Sequence, residues 1–200
     1  MLAKLITVCG ALAVCLFSAQ GMTLPAEAAH KVKLEIIATD EEQIGAKVFQ
    51  VSRVIVKASP SQVQSVLTDY SHTSRIFDNV TKCNVISDKG DTKLIAFTIK
   101  SMGNLWTFDY ILEVKEEPGR IEWRRSSGAF KANEGFWKLE PVDGGTHTLV
   151  TYAKYMDGGM MLPKFVINKQ IRDSMPVIMS SLKTTAEQES TVASGRDPMH

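Results

Sequence analysis

Apolar and polar residues alternate along most of the chain between residues 47 and 156, which is the pattern of half-buried antiparallel strands. The clearest case is residues 105–116, where the side chains at 106, 108, 110, 112 and 114 are all apolar or aromatic. Turn sequences rich in Gly, Pro and Asp separate these runs. The predicted strands cover residues 32–39, 47–57, 80–86, 93–100, 105–116, 120–127, 135–142 and 147–156, with the polar residues 40–43 between the first two.

Two regions change to the spacing of helices. Ser59 supplies an N-cap and Pro60 a first helical position, and apolar residues follow at 63, 66 and 67. We predict a helix there and a short second helix over residues 74–79. Residues 162–188 form one long predicted helix with an apolar stripe, in which Pro176 should produce a kink because it removes one backbone hydrogen bond.

The order of these elements predicts the fold class. Strands, two short helices, a run of hairpins and one long amphipathic helix indicate an α+β protein, since parallel βαβ units would need a helix after each strand. A curved antiparallel sheet with so apolar a face needs a cover, and the last helix has the matching stripe. We predict one domain over residues 29–189 and a flexible tail over residues 190–200.

The first 28 residues have the order of features typical of a secretory signal peptide. Lys4 precedes an uncharged apolar run over residues 5–19, which is shorter than the ~20 residues that span a bilayer. The small residues Ala26 and Ala28 then lie two positions apart, as at a signal-peptidase site. We predict cleavage after Ala28 and a periplasmic or secreted mature protein; an uncleaved anchor or a buried core helix is the alternative.

Composition and charge exclude several functional classes. The 200 residues are 44% hydrophobic and 22% charged, as in a globular domain and unlike a disordered or collagen-like chain. The net charge of +1 is unchanged by the predicted cleavage, so we expect no nucleic-acid partner and at most transient membrane contact. Only Cys83 remains after cleavage, so no internal disulfide is expected, and a monomer is favoured.

No catalytic or metal-binding pattern stands out. His72 and His147 have no metal-ligand spacing with another His or Cys. The sequence contains no Gly-rich phosphate loop, nucleophile elbow or dinucleotide-binding fingerprint. We therefore expect no metal, no cofactor and no catalytic residue.

Three segments carry a family resemblance: residues 54–63 (VIVKASPSQV), 66–77 (VLTDYSHTSRIF) and 162–168 (LPKFVIN). From about residue 48 to 186 the chain resembles the START/Bet v 1-like superfamily, in particular its polyketide cyclase/dehydrase and coenzyme Q-binding branch. The resemblance implies a helix-grip fold, in which the antiparallel sheet wraps around the C-terminal helix and encloses a cavity. It also implies binding of a lipid, quinone, sterol or polyketide-like molecule.

Aromatic residues are concentrated where such a cavity would lie, because ten of the fifteen fall between Phe97 and Tyr155. Arg125 should share a strand face with Trp123, where a ligand carboxylate, carbonyl or phosphate would pair with it, unless it lies on the solvent rim. Asn168, on an apolar stripe, needs hydrogen bonds from a ligand head group or a loop. The predicted ligand-binding residues are Trp106, Phe108, Tyr110, Trp123, Arg125, Trp137, Phe165, Asn168 and Met175.

The segment between the last strand and the last helix is a predicted lid, with Gly158 and Gly159 as the hinge and Met160 and Met161 as apolar contacts. We expect an exported carrier of a hydrophobic small molecule. Two alternatives stay open. A cyclase/dehydrase-type enzyme would need buried Tyr, Arg or carboxylate groups that converge on one point, and a protein-interaction module would need a large exposed apolar patch and no cavity.

Overall fold

The computed structural model describes residues 39–101, 105–160 and 162–194, in which an antiparallel sheet curves around one long C-terminal helix. The predicted α+β helix-grip fold is confirmed. The strands are β1 (Thr39–Ile44), β2 (Lys47–Val56), β3 (Val80–Asp88), β4 (Thr92–Ser101), β5 (Trp106–Glu117), β6 (Arg120–Gly128), β7 (Ala132–Val142) and β8 (His147–Asp157). The helices are α1 (Pro60–Thr68) and α2 (Lys164–Ser194), with short 3-10 helices at Tyr70–Arg75 and Asp143–Gly145.

The sheet has the strand order β1-β2-β8-β7-β6-β5-β4-β3, and every neighbouring pair is antiparallel. Each strand from β3 to β8 pairs with the next along the chain, as the hairpin turns predict. The pairing of β2 with β8 is different, because it joins segments about a hundred residues apart. It brings the N-terminal hairpin to the end of the sheet and places α1 beside α2.

The main core lies between the inner face of the sheet and α2. Side chains alternate between the two faces of a strand, so every second residue of each strand points toward the helix. The predicted apolar stripe of the helix is buried there, and Pro176 lies inside the same helix. The buried stripe residues are Ile171, Met175, Ile178, Met179, Leu182 and Ala186.

The start of α1 is the one that the sequence predicts. The Ser59 hydroxyl accepts a hydrogen bond from the Gln62 N–H at 3.4 Å, and the Gln62 side-chain oxygen accepts one from the Ser59 N–H at 2.9 Å. This reciprocal capping box satisfies two backbone donors that a helix start otherwise leaves unpaired. Pro60 occupies the first turn, where its missing N–H costs nothing.

Three boundaries differ from the sequence expectations. Residues 40–43 belong to β1, where β2 pairs with their backbone hydrogen-bonding groups and the polar side chains suit an edge strand. Of the predicted strand over residues 32–39, only Thr39 lies within the described residues. The second short helix is Tyr70–Arg75 and not 74–79. Helix α2 continues to Ser194 because its last turns pack beside α1, where the hydroxyl of Ser190 meets Gln62 at 3.4 Å.

Gly135 leaves room for an aromatic ring on the inner face of the sheet. Strand register places Trp123, Gly135 and Lys154 side by side on β6, β7 and β8. A Cβ atom at position 135 would lie 2.2 Å from the Ala153 carbonyl oxygen and 2.3 Å from a carbon of the Trp123 ring. No other residue fits without displacing the ring or the neighbouring strand.

Substitution of Gly135 by Ala should therefore destabilise the fold by about 2 kcal/mol or more, since overpacking of a tight interior costs roughly 1–3 kcal/mol. Urea denaturation followed by circular dichroism measures this change. Adding Trp123→Phe to Gly135→Ala should restore part of the loss, because the smaller ring lacks the clashing atoms. An unchanged denaturation midpoint in Gly135→Ala would contradict the close approach.

Candidate ligand cavity

A cavity of about 250 Å³ lies between the inner face of the sheet and α2. Strands β4 to β8 contribute its walls, which are mostly aromatic and aliphatic. Gln170, Ser174 and Ile178 of α2 cover it, and residues 77–80 and Leu67 border it. The cavity therefore occupies the position that the helix-grip fold provides between sheet and helix.

Three of the predicted ligand-binding residues meet in this cavity. Tyr110, Trp123 and Trp137 all line it, together with Tyr152. The rings of Trp137 and Tyr152 are stacked, with centroids 4.0 Å apart and planes 9° apart, and Trp123 lies 5.8 Å from Tyr152. Strands β6, β7 and β8 place these rings next to one another, with Trp123 tilted by 37° against Tyr152, and together they form an aromatic wall.

Four other predicted residues lie outside the cavity lining. Phe108 is buried but packs against Phe130, whose ring centroid is 5.0 Å away. Trp106, which stacks on Phe108, is 49% exposed, and Phe165 is 74% exposed. Met175 is completely buried in the core. Strand β5 thus has the predicted inner face, but Phe130 closes it off from the cavity at its N-terminal end.

The two predicted polar residues also lie outside the lining. Arg125 donates through Nη2 to the Gly128 carbonyl oxygen at 2.8 Å, so its guanidinium binds its own strand end. A register shift between Ile111 and Leu112 occurs beside it, where β6 contains one extra residue. Asn168 is half-buried at the start of α2, and its amide has no hydrogen-bond partner among the described residues.

The predicted hinge is closely packed at one of its two glycines. A Cβ at Gly158 would lie 2.6 Å from a methyl group of Ile167 and 2.7 Å from Cβ of Leu162. Met160 is fully exposed, and Met161 lies outside the described residues. Gly159 has φ of 65°, a backbone conformation that favours glycine. The lid stays a prediction.

Lys154 lines the cavity and is not among the residues that the sequence predicts there; the same is true of Tyr152 and Asn133. The signal was present in β8, because Thr148, Val150 and Tyr152 are buried on the inner face and Lys154 continues the same alternation. A lysine near the end of a strand is ordinarily expected to face solvent, so the sequence alone does not indicate that Lys154 faces inward. Tertiary structure places its side chain in the aromatic cavity instead.

The amine of Lys154 has no ion pair and no hydrogen bond with any described residue. Burial lowers its pKa from 10.5 to about 8, because the charged form loses hydration without gaining a partner. Lys154 as a whole residue is only partly buried, whereas its amine is surrounded by protein atoms. Both observations hold because the residue lies in a cavity wall, which water can reach although protein encloses it.

Other polar groups lie near Lys154 in the cavity wall. Asn133 is 2% exposed, and its side-chain oxygen accepts a hydrogen bond from Trp123 Nε1 at 3.4 Å. Burial raises the pKa of Tyr110, although the neighbouring Asn133 amide offsets part of this effect. Burial also raises the pKa of Tyr152. Both phenols therefore stay protonated at neutral pH and can donate a hydrogen bond to a ligand.

A second polar cluster closes another side of the cavity. The Tyr70 hydroxyl donates to Glu116 at 2.6 Å, and Lys93 donates to the same carboxylate at 2.9 Å. Burial is the main cause that raises the pKa of Tyr70. These three groups satisfy one another, unlike Lys154. Glu116 is thus committed to a structural role.

The described ranges hold no group of three or more His, Cys, Asp and Glu side chains that could bind a metal ion. In the same ranges, no helix combines the length and apolarity needed to cross a membrane. The described cavity lining supplies aromatic rings, neutral hydroxyl and amide groups, the Lys154 amine and, at the exposed border, the Asp78 carboxylate.

A family model described as polyketide cyclase / dehydrase and lipid transport matches residues 48–187. The chain belongs to this family. Its matched region runs from β2 to the last turns of α2 and so includes the whole cavity. No curated protein sequence matches the chain.

Solved structures share the fold of this polyketide cyclase / dehydrase and lipid transport family member. A START superfamily protein from Mycobacterium smegmatis aligns with a TM-score of 0.62 and 17% identity, over 70% of this chain and 98% of its own. A STAR-related lipid transfer protein from Xanthomonas axonopodis aligns with a TM-score of 0.60 and 16% identity, over 76% of this chain and 97% of its own. An aromatase/cyclase from a Streptomyces species aligns with a TM-score of 0.62 and 13% identity, over 70% of this chain and 94% of its own. At these identities the likeness is one of fold.

Replacing Lys154 with Met should stabilise this family member at pH 7. Between pH 8 and 10.5 the unfolded chain binds more protons at this amine than the folded chain does, so wild-type stability rises with pH. The expected rise is about 2 kcal/mol from pH 7 to pH 9.5, and the Met variant should lack it. Urea denaturation of both proteins at pH 7, 8 and 9.5 measures both effects, and the difference between the two proteins removes the contributions of Cys83 and the tyrosines, which they share.

Lys138→Met is the matched control, because Lys138 lies on the outer face of β7, exposed and paired with Glu140 at 2.7 Å. It should change stability by less than about 0.5 kcal/mol and keep the wild-type pH dependence. Equal pH profiles for wild type and Lys154→Met would show that the Lys154 amine is not desolvated.

Proposed function

We propose that this protein binds and carries one hydrophobic small molecule in the cavity between the sheet and α2. The cavity is the observation that supports this function. Folded interiors contain few voids larger than a water molecule, and a water occupies ~30 Å³ in the liquid. A space of about 250 Å³ has the volume of roughly eight waters, and its walls are largely aromatic and aliphatic. Such walls favour an apolar ligand.

The size of the cavity limits the ligand. Pockets for drug-sized molecules are typically ~300–1,000 Å³, so a cavity of about 250 Å³ suits a single chain or a small ring system. A two-chain lipid would need the sheet and α2 to separate. Among lipids, quinones, sterols and polyketide-like molecules, we favour the compact or single-chain members.

The enzymatic alternative has less support in the cavity. Structures of this fold carry names of both lipid transfer proteins and an aromatase/cyclase, so the fold allows either. The charged side chains among the cavity-lining residues are Asp78, which is exposed at the border, and Lys154. They form no ion pair with each other. The described lining thus offers no paired acid and base, which acid–base chemistry needs, and its largely apolar walls favour binding.

We also propose that the protein acts outside the cytoplasm, as the signal-like residues 1–28 predict. These residues lie outside the described part of the chain. The intact mass of the protein recovered from an exporting host tests this proposal. A mass that begins at Ala29 supports it, and a full-length mass contradicts it.

Filling the cavity should abolish ligand uptake. Ser174 of α2 lines the cavity and has a small side chain, whose hydroxyl donates to the Ile171 carbonyl oxygen of the preceding turn at 3.0 Å. Ser174→Phe places a ring into the space that the ligand would occupy. Binding of an apolar fluorescent probe should fall at least tenfold, while the circular dichroism spectrum stays that of the wild type.

Ser180→Phe is the control on the same helix, because Ser180 is exposed. It should bind the probe as the wild type does. Equal binding by Ser174→Phe and wild type would mean that the cavity is not the binding site.

Native mass spectrometry with organic extraction tests the function directly. A co-purifying hydrophobic molecule at one copy per chain is the expected result. Empty protein that takes up nothing from a panel of lipids, quinones and sterols would refute the proposed carriage.

A further inference from the structure

The amine of Lys154 is a positive charge that the described residues leave without a partner, although it lines an aromatic cavity. Lysines near a surface usually extend their ammonium group to water along an apolar stem. Here the amine is surrounded by protein, and an unpaired buried charge is costly. A ligand that brings a negative charge would remove this cost on binding.

Strand β2, which lies beside Lys154, has further polar atoms without hydrogen-bond partners among the described residues. Gln50 pairs with Lys154 in the strand register, and Ser52 pairs with Tyr152. Both side chains are at least nine-tenths buried, at 2% and 1% exposure. The Gln50 side-chain oxygen and the Ser52 hydroxyl have no hydrogen-bond partner in the part of the chain that the structure describes. Unpaired buried polar atoms are rare in folded proteins and indicate a bound molecule or water.

The carboxylate nearest this wall in the strand register is already engaged. Glu41 pairs with Gln50 on the edge strand and accepts a hydrogen bond from the Gln50 amide nitrogen at 2.9 Å. Its charge is balanced by Arg172 of α2, at 3.3 Å. Glu41 therefore does not neutralise Lys154, and the Lys154 amine stays an uncompensated positive charge among the described cavity-lining residues.

We propose that the carried molecule is an amphiphile with a single carboxylate, which forms an ion pair with the Lys154 amine while its apolar part lies against the aromatic wall. This assignment rests on the proposed carriage function. A monoanion matches the single unpaired positive charge among the described cavity-lining residues. A dianion such as a phosphate monoester would leave a negative charge unpaired, and a neutral head group would leave the amine unpaired.

The neighbouring groups suit a carboxylate. An ammonium group has three donors, of which a carboxylate accepts one or two in a short charge-assisted bond. The protonated hydroxyls of Tyr110 and Tyr152, which line the same cavity, are further donors, and the Ser52 hydroxyl lies beside Tyr152 in the strand register. The Gln50 oxygen is an acceptor, which a bridging water serves.

Three ten-carbon probes that differ only in the head group test the proposal: decanoate, decanol and decylamine. Binding to the full chain is followed at pH 7 by the fluorescence of Trp123 and Trp137, which line the cavity. Decanoate should bind wild type at least tenfold more tightly than decanol, and decylamine should bind most weakly. Lys154→Met should lose at least tenfold in decanoate affinity and keep its affinity for decanol.

Lys138→Met is again the matched control and should bind all three probes as the wild type does. Lys154→Gln, which is closer in polarity to the native residue, serves as a second variant and should give the same loss for decanoate. Equal affinities of wild type for decanoate and decanol would overturn the carboxylate assignment and leave carriage standing. Binding of none of the probes would count against carriage itself. A decanoate preference that survives in both Lys154 variants would overturn the role of Lys154.

Discussion

The packing of the apolar stripe of α2 against the inner face of the sheet is the interaction on which the rest of the structure depends. The helix buries Ile171, Met175 and Leu182 almost completely, and without this cover the inner face would be exposed to water. A helix and a curved sheet do not match in shape along their whole length. Where they separate, large rings line the space without filling it, and the cavity is the result.

The pairing of β2 with β8 has a second consequence for this geometry. It brings Gln50 and Ser52 next to Lys154 and Tyr152, and it places polar side chains beneath the N-terminal half of α2. An apolar residue at position 154 would make a more stable protein, because the desolvated amine is a cost to folding. Stability given up at one cavity residue is common at binding sites. Lys154 is thus better explained by what the cavity binds than by what holds the fold together.

Gly135 affects both the packing of the sheet and the shape of the cavity. Its missing side chain lets the Trp123 ring lie across β7 toward β8, so that one backbone position sets both the aromatic wall and the space beside Lys154. A glycine inside a strand is ordinarily unfavourable, since it adds flexibility and contributes no packing. Here the neighbouring ring supplies the packing that the glycine lacks.

The sequence by itself determined the fold class, the strands from β3 to β8, the capped start of α1 and the apolar stripe of α2, because these follow from local periodicity and turn chemistry. It also predicted Tyr110, Trp123 and Trp137 in the cavity. Only the tertiary structure decided that Phe130 covers Phe108, that Arg125 turns to a backbone carbonyl and that Lys154 faces inward. Strand alternation specifies a face, but which part of that face stays open depends on contacts between residues far apart in the chain.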